Sequence, residues 1–256
     1  MLSVLLSLLL PLAQAGSVQL QTADGLRLKA EGRVVSESTR GVLFAHQLRR
    51  SHKDWSKLSA RLHASGFTTI APDLRGHGAS AKAGTELTPA DFKAMEKDLQ
   101  AGLVWLRAQG VREISCVGAS IGANLCAQVA AKDPAIVNLV MLSPGLNYKG
   151  VTSGDALTRY GDRPVLIVAS GEDRVSKRAS SLLEQAAKGQ VHYELLQNAG
   201  HGTQMLSRAG TLIPKITSWL VGSFKLVTGD MVQPRALISY DGAPLESTGK
   251  KLQVHQ

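Results

Sequence analysis

Short apolar runs alternate with amphipathic stretches along most of this chain, and this alternation restricts the fold more than any other feature. Each apolar run has the length and residue types of a buried β-strand. The six runs lie at 41–45, 68–71, 113–117, 136–142, 164–169 and 191–196. Between them apolar residues recur at helical spacing, as Trp55, Leu58 and Leu62 do. The pattern predicts an α/β fold, a mostly parallel sheet with helices on both faces.

Two alternating segments precede the first of these runs. Residues 17–22 and 26–30 flank the tripeptide Ala23-Asp24-Gly25. An Asp-Gly pair between alternating segments is typical of a hairpin turn. We therefore expect an N-terminal antiparallel hairpin.

The length of 256 residues, 44% of them hydrophobic, fits one globular domain with a full core. We place this domain at residues 16–222, because neither repeats nor a linker rich in Pro, Gly and Ser occur before about residue 225. Residues 223–256 lose periodicity. A weakly ordered tail and an added edge hairpin are both compatible with this segment.

The first fifteen residues form an apolar run that ends in Ala13-Gln14-Ala15. A run of this kind before a small-x-small site is typical of a secretory signal peptide, here cleaved after Ala15. It is too short to span a bilayer. Its start lacks positive side chains, so an uncleaved anchor at the membrane surface is the alternative. We expect an exported protein, either periplasmic or secreted.

The charge balance limits the classes of partner. The 29 Lys and Arg against 20 Asp and Glu give a formal charge of +9. The basic residues are scattered among acidic ones. This distribution favours a solvated basic face and allows weak association with anionic surfaces. Aromatic residues make up only 4% of the chain, so no nucleic-acid partner is expected. Two cysteines are too few for the usual four-ligand zinc site, and we expect neither a metal nor a cofactor.

The pentapeptide Gly118-Ala-Ser120-Ile-Gly122 follows a predicted strand and opens a predicted helix. The G-x-S-x-G pattern alone is weak, but this setting strengthens it. A serine on such a turn lies above the carboxyl ends of the strands, where ligands bind in open α/β sheets. The helix N-terminus also offers the Ile121 N–H to a developing oxyanion. Ser120 is therefore the candidate nucleophile.

A serine nucleophile needs a base, and the base needs an acid that orients it. Asp173 follows the predicted strand at 164–169, and His201 follows the strand at 191–196. Because the ends of parallel strands meet at one sheet edge, we expect Ser120, Asp173 and His201 to lie together. Glu172 is the rival acid.

This order of serine elbow, acid and histidine resembles that of the α/β-hydrolase superfamily. The resemblance covers about residues 17–222 and includes Asp73-Leu-Arg75-Gly76-His77-Gly78-Ala-Ser80, which is similar to a loop after the fourth strand in that family. It implies a structural role for His77. The family's second oxyanion donor would be the backbone N–H of Gln47, which replaces the family's usual glycine. Its side chain is expected either to narrow the pocket or to contact substrate.

Only residues 143–163 connect the strand at 136–142 to the next strand, so a large cap does not fit. We expect an open, shallow site. The chain resembles the compact esterase and dienelactone-hydrolase-like branch of the superfamily, although the dienelactone enzymes carry cysteine at the elbow. The serine also departs from the aspartate nucleophile of family dehalogenases and epoxide hydrolases.

Cys116 and Cys126 fall in the strand before the elbow and in the helix after it. Adjacent layers of strand and helix lie about 10 Å apart, which exceeds the usual Cα separation of bonded cysteines. We expect two small buried hydrophobic residues, although an exported protein would permit a disulfide.

The residues and the resemblance together predict a serine hydrolase of carboxylic esters that acts on small or exposed acyl groups. The same triad would also serve amide, thioester or lactone hydrolysis. The alternative from another class is an exported binding protein that keeps this fold without turnover and uses its pocket or basic face.

Overall fold

The computed structural model describes residues 15–81 and 86–227. Residues 1–14 of the predicted signal peptide (1–15) and residues 228–256 of the predicted tail (223–256) lie outside the described residues. Eight strands form the main sheet, in the order β1-β2-β4-β3-β5-β6-β9-β10. Their bounds are β1 Gly16–Gln21, β2 Arg27–Arg33, β3 Arg40–Ala45, β4 Thr68–Pro72, β5 Glu113–Ala119, β6 Ile136–Leu142, β9 Val165–Ser170 and β10 Val191–Leu196. A separate two-stranded hairpin consists of β7 Asn147–Tyr148 and β8 Val151–Thr152.

The sheet has the predicted mixture of strand directions. β1 and β2 form the expected antiparallel hairpin, in which Leu20 pairs with Leu28. β2 then pairs antiparallel with β4, whereas β3 to β6, β9 and β10 all run parallel. The fold is thus a mostly parallel α/β sheet, as the alternation of apolar runs predicts.

Seven helices cover the two faces of the sheet within the described residues. Their bounds are α1 Ser56–Ala64, α2 Pro89–Ala108, α3 Ile121–Ala130, α4 Gly154–Tyr160, α5 Arg174–Ala186, α6 Met205–Arg208 and α7 Leu212–Val227. Apolar side chains of α2 to α5 belong to one buried cluster, and those of α1, α6 and α7 belong to the other. Alternate strand residues divide between the clusters, since Leu43 joins the first and Phe44 the second. The last helix runs to Val227, beyond the domain end predicted at residue 222.

The connection between β6 and β9 is short. It contains the hairpin of β7 and β8 and the seven-residue helix α4. These elements leave the carboxyl end of the sheet without a large cap, as expected from the sequence. No helix in the described part of the chain is long and apolar enough to cross a membrane.

The expectation of two unbonded cysteines is wrong. Cys116 in β5 and Cys126 in α3 are both fully buried, as predicted, but they form a disulfide with Cα atoms 5.7 Å apart. The estimate from layer spacing fails because strand and helix approach unusually closely here. A Cβ added at Gly118 would lie 2.3 Å from the carbonyl oxygen of Gly122, so only glycine permits this approach. The disulfide joins the two elements on either side of Ser120.

Candidate active site

Ser120 occupies the sharp turn between β5 and α3. The strand ends at Ala119, the helix begins at Ile121, and Ser120 itself has φ 55° and ψ −121°. This conformation is strained for a residue with a side chain, and strain of this kind concentrates at functional sites. The Ser120 N–H donates to the Leu142 carbonyl at the end of β6, which anchors the turn on the neighbouring strand. Ser120 is 7% exposed, so only a small part of the residue reaches solvent.

The two glycines of the pentapeptide allow three backbone segments to meet at this turn. Gly118 lies against the backbone of Gly122, and a Cβ at Gly122 would lie 2.2 Å from the carbonyl oxygen of Ala45. The first turn of α3 therefore packs directly on the end of β3. This contact places the loop that follows β3 beside the N-terminus of the helix.

Asp173 and His201 form a direct pair. His201 lies in the loop that follows β10, and Asp173 lies in the loop that follows β9. The distance from His201 Nδ1 to Asp173 Oδ2 is 2.6 Å. Asp173 also caps helix α5 and accepts a hydrogen bond from the Ser176 N–H at 3.2 Å. Burial raises the pKa of Asp173, but the hydrogen bonds from His201 and Ser176 outweigh burial and lower the pKa below its usual value. The carboxylate thus stays ionised and favours the tautomer in which His201 Nδ1 carries the proton.

Glu172, the rival acid, has a different set of partners. Its carboxylate accepts hydrogen bonds from the Ser170 hydroxyl at 2.6 Å and from the N–H groups of Asn198 and Gly200 at 2.9 and 2.6 Å. The bond from Ser170 contributes most to lowering the pKa of Glu172 to about 2, with a further contribution from Gly200. Glu172 therefore holds the backbone that leads into His201, while Asp173 contacts the imidazole.

The candidate oxyanion donors lie on the two segments that Gly122 brings together. Ile121 is the first residue of α3, where N–H groups have no acceptor within the helix. The N–H of Gln47 has no acceptor among the described residues. The preceding residue, His46, fixes this loop, because its Nδ1 lies 2.8 Å from the Gln47 carbonyl and its Nε2 accepts from the Leu74 N–H at 3.0 Å. Burial lowers the pKa of His46 to about 4, so its imidazole is neutral near pH 7.

The Gln47 side chain turns toward the histidine loop. Its Oε1 accepts a hydrogen bond from the Thr203 N–H at 2.8 Å. The Thr203 hydroxyl in turn lies 2.6 Å from Asp54 Oδ2, and Asp54 binds Arg50 through both carboxylate oxygens. Where the sequence suggests a narrower pocket or a substrate contact, the structure shows a bridge between two loops of the site.

Tyr148, at the end of β7, is a site residue that sequence reasoning missed. Its ring meets the His201 ring edge-on, with centroids 6.5 Å apart. Its hydroxyl lies 3.2 Å from Ser176 Oγ and 3.4 Å from the carbonyl oxygen of Ser143. Burial raises the pKa of Tyr148, while interactions with Ser176 and Ser120 oppose that rise. The Tyr148 ring thus lies beside the imidazole of His201, and Ser176 and Ser143 anchor its hydroxyl. A two-residue strand leaves no periodic signal that could have indicated it.

The three predicted residues thus meet at one edge of the sheet in two groups. The Asp173–His201 pair is formed directly, whereas no hydrogen bond joins Ser120 to His201 in the described structure. The His201 loop nevertheless reaches the elbow, since a Cβ at Gly202 would lie 3.4 Å from that of Ala119. Such bonds often form only in the substrate complex.

The remaining polar groups near the site belong to the scaffold. His77 Nδ1 lies 2.9 Å from the Arg75 carbonyl oxygen, and its ring lies beside that of His46. Arg75 binds Asp98 and Asp24. Within residues 15–81 and 86–227, no three His, Cys, Asp or Glu side chains group closely enough to hold a metal ion.

Comparison with known proteins agrees with this fold. Residues 42–153 match the family model of the alpha/beta hydrolase fold. A dienelactone hydrolase from Anabaena variabilis superimposes with a TM-score of 0.69 at 18% identity, over 82% of this chain and 97% of that one. The chain therefore has the α/β-hydrolase fold. An esterase from Pyrococcus furiosus gives a TM-score of 0.64 at 19% identity, over 82% of this chain and 92% of the esterase.

Curated relatives match this chain over part of their length. A thermostable monoacylglycerol lipase from Bacillus sp. is 28% identical over 126 residues, which are 48% of this chain and 49% of the lipase. A 2-(acetamidomethylene)succinate hydrolase from Mesorhizobium japonicum is 35% identical over 116 residues, 45% of this chain and 39% of that enzyme. The chain thus spans between a third and a half of the length of the relatives it matches.

Proposed function

We propose that this protein is a serine hydrolase that cleaves carboxylic esters through an acyl-enzyme intermediate. The observation that carries the proposal is the 2.6 Å contact of His201 with Asp173 at the sheet edge that holds the strained elbow of Ser120. A base oriented by a carboxylate at the same sheet edge as a serine is the arrangement that acyl transfer requires. The esterase and lipase among the similar proteins support the same reaction type.

In the proposed reaction, Ser120 Oγ attacks the ester carbonyl carbon as its proton passes to His201 Nε2. The N–H groups of Gln47 and Ile121 stabilise the negative charge that develops on the carbonyl oxygen. The carbon–oxygen bond to the alcohol then breaks, and the alcohol leaves with the proton from His201. Water attacks the acyl-enzyme by the same steps in reverse order, which releases the acid and restores Ser120.

The short connection between β6 and β9 supports small or exposed acyl groups as substrates. A hairpin of two-residue strands and the helix Gly154–Tyr160 provide no large lid that could enclose a long acyl chain. We propose an open site that needs no interfacial activation.

We further propose that the protein is exported, with cleavage after Ala15. The disulfide between Cys116 and Cys126 supports this proposal, because structural disulfides are mostly found in oxidising compartments. N-terminal sequencing of the protein recovered from its native host tests it. A chain that begins at Gly16 is expected, and a chain that still begins at Met1 would support the uncleaved anchor instead.

The activity is tested with p-nitrophenyl acetate, butyrate and longer esters, with Ser120→Ala as the matched variant. We expect the wild type to hydrolyse short esters fastest and the variant to lose activity by a factor of about 10⁴ or more, as removal of a triad nucleophile does. A fluorophosphonate probe should label the wild type and leave the variant unlabelled.

Two outcomes would change the assignment. Labelling of Ser120 without ester turnover would direct the search to amide, thioester and lactone substrates, which the same triad serves. A folded wild-type protein that neither turns over esters nor reacts with the probe would favour an exported binding protein.

A further inference from the structure

A cleft with a volume of about 1040 Å³ is lined in part by residues 48–51 of the loop that follows β3. This loop also carries Gln47, the candidate oxyanion donor. Its apolar lining includes Leu48, Leu87 and Phe92, and its rim carries charged side chains. Leu48 directly follows Gln47 in the chain, and the rim residue Lys149 directly follows Tyr148. Because consecutive Cα atoms are about 3.8 Å apart, the cleft adjoins two residues of the candidate active site.

The charges on the rim are unbalanced. Four of the lining side chains are cationic, Arg49, Arg50, Lys53 and Lys149, and two are acidic, Asp54 and Glu86. Arg50 and Asp54 neutralise each other through two hydrogen bonds of 2.7 and 2.6 Å. The other three cations face one remaining carboxylate, which leaves an excess of two positive charges. Within the described residues these three cations form no ion pair.

Two of these free cations occupy positions that would suit glycine better. Arg49 has φ 61° and Lys149 has φ 54°, in the left-handed region that side chains rarely adopt. Lys149 lies at the tip of the β7–β8 hairpin, next to Gly150, where Asn-Gly is the favoured pair. A long charged side chain held at a costly backbone position is consistent with a use for its charge.

We infer that this cleft binds an anionic group of the substrate, so that the preferred esters carry a carboxylate or phosphate some bonds away from the carbonyl that Ser120 attacks. The inference rests on the proposed ester hydrolysis and adds the class of substrate. Guanidinium and ammonium groups around a recess attract carboxylates and phosphates, and low-dielectric apolar walls focus the field of these charges into the cleft.

Two esters that differ only in charge test the inference. Mono-p-nitrophenyl adipate carries a free carboxylate, and its methyl ester has the same chain without the charge. We expect the wild type to show a kcat/KM about tenfold higher for the anionic ester, with most of the difference in KM and a decline as salt is added. The p-nitrophenyl ester of 5-phosphonopentanoic acid distinguishes phosphate-like from carboxylate groups.

A triple variant, Arg49→Asn/Lys53→Gln/Lys149→Asn, removes the free cations. Asparagine is used at positions 49 and 149 because it tolerates a positive φ. The matched control, Lys57→Gln/Arg61→Gln/Lys188→Gln, removes three exposed cations that do not line the cleft. We expect the first triple variant to abolish the preference for the anionic ester while hydrolysis of the neutral ester stays within about twofold of wild type. The control should keep the preference.

The other possible results distinguish failure of the anionic cleft from failure of the proposed ester hydrolysis. A wild type that hydrolyses both esters equally, or a control triple variant that loses the preference as well, overturns the anionic cleft and leaves the proposed function intact. A wild type that hydrolyses neither ester overturns the proposed function, and the inference falls with it. The thermal unfolding midpoints of both triple variants should match that of the wild type, since the replaced side chains are exposed. If the first triple variant unfolds at a lower temperature than the wild type, Lys53→Gln alone must still reduce the preference for the anionic ester.

Discussion

Gln47 accepts a hydrogen bond from the backbone N–H of Thr203 across 156 positions of sequence, at 2.8 Å. One end of this bond is the loop that offers a candidate oxyanion donor, and the other is the loop that carries His201. In the proposed reaction both loops act on one carbonyl group, and this bond fixes their separation. The residue that departs from the family's usual glycine thus provides the link between the two loops.

Gln47→Met should weaken this link while it retains the length of the side chain. The variant leaves the Thr203 N–H without its acceptor, which costs about 1 kcal/mol in the free energy of unfolding. We expect kcat for a short ester to fall about tenfold with little change in KM, because the two loops lose their relative position. Gln100→Met, on the exposed face of α2, is the control and should behave as wild type. Equal effects of both substitutions would show that the link is unimportant.

The acids at 172 and 173 should have separable roles. Asp173→Asn removes the carboxylate that fixes the His201 tautomer, and kcat should fall by a factor of about 10³ to 10⁴. Glu172→Gln replaces a carboxylate that holds the backbone of the same loop, and it should lower the unfolding temperature while kcat falls less than about tenfold. Steady-state kinetics and thermal unfolding of both variants check this assignment. A larger loss of kcat in Glu172→Gln would reverse it.

The architecture was predictable from sequence because its signals are local. Each strand end, the elbow at Ser120, and the placement of Asp173 and His201 directly after a strand depend on residues within a few positions of one another. The Gln47–Thr203 bond and the role of Tyr148 depend instead on how distant loops meet, which periodicity does not record. The Cys116–Cys126 bond was missed for a related reason, because an average layer spacing does not include the close approach that Gly118 and Gly122 allow.

That close approach predicts contrasting effects for two glycine substitutions. Gly122→Ala would place a Cβ 2.2 Å from the Ala45 carbonyl oxygen, and backbone atoms of both β3 and α3 would have to move. We expect a loss of about 3 kcal/mol in the free energy of unfolding and a fall in kcat of about 10²-fold. Gly154→Ala, at the start of α4, meets nothing within 4 Å and should be neutral or slightly stabilising. Denaturant unfolding and ester kinetics distinguish the two. A stable, active Gly122→Ala would contradict the packing described for the elbow.

The buried imidazole of His46 should make the free energy of unfolding depend on pH. Burial lowers the pKa of this residue in the folded protein to about 4, whereas the unfolded chain has an ordinary value of 6.5. Between these values the unfolded state binds more protons, so the free energy of unfolding rises with pH. The contribution of neutral His46 is complete above pH 6.5 and is lost as the pH falls toward 4. A shift of this size corresponds to about 3 kcal/mol.

The neighbouring groups modify this effect without reversing it. His77 lowers the pKa of His46 further, while the backbone bond to Gln47 and the charges of Asp73 and Asp54 raise it by less than burial lowers it. Burial also lowers the pKa of His63, which therefore adds to the same slope.

His46→Gln isolates the contribution, because an amide can both donate and accept a hydrogen bond yet does not titrate in this range. We expect the free energy of unfolding of this variant, measured in urea between pH 7.5 and 4.5, to change less steeply with pH than that of the wild type. His63→Gln is the control and should flatten the curve less, since that side chain is less buried. If His46→Gln keeps the full slope, His46 is protonated in the folded state, and the Leu74 N–H has then lost its acceptor at Nε2.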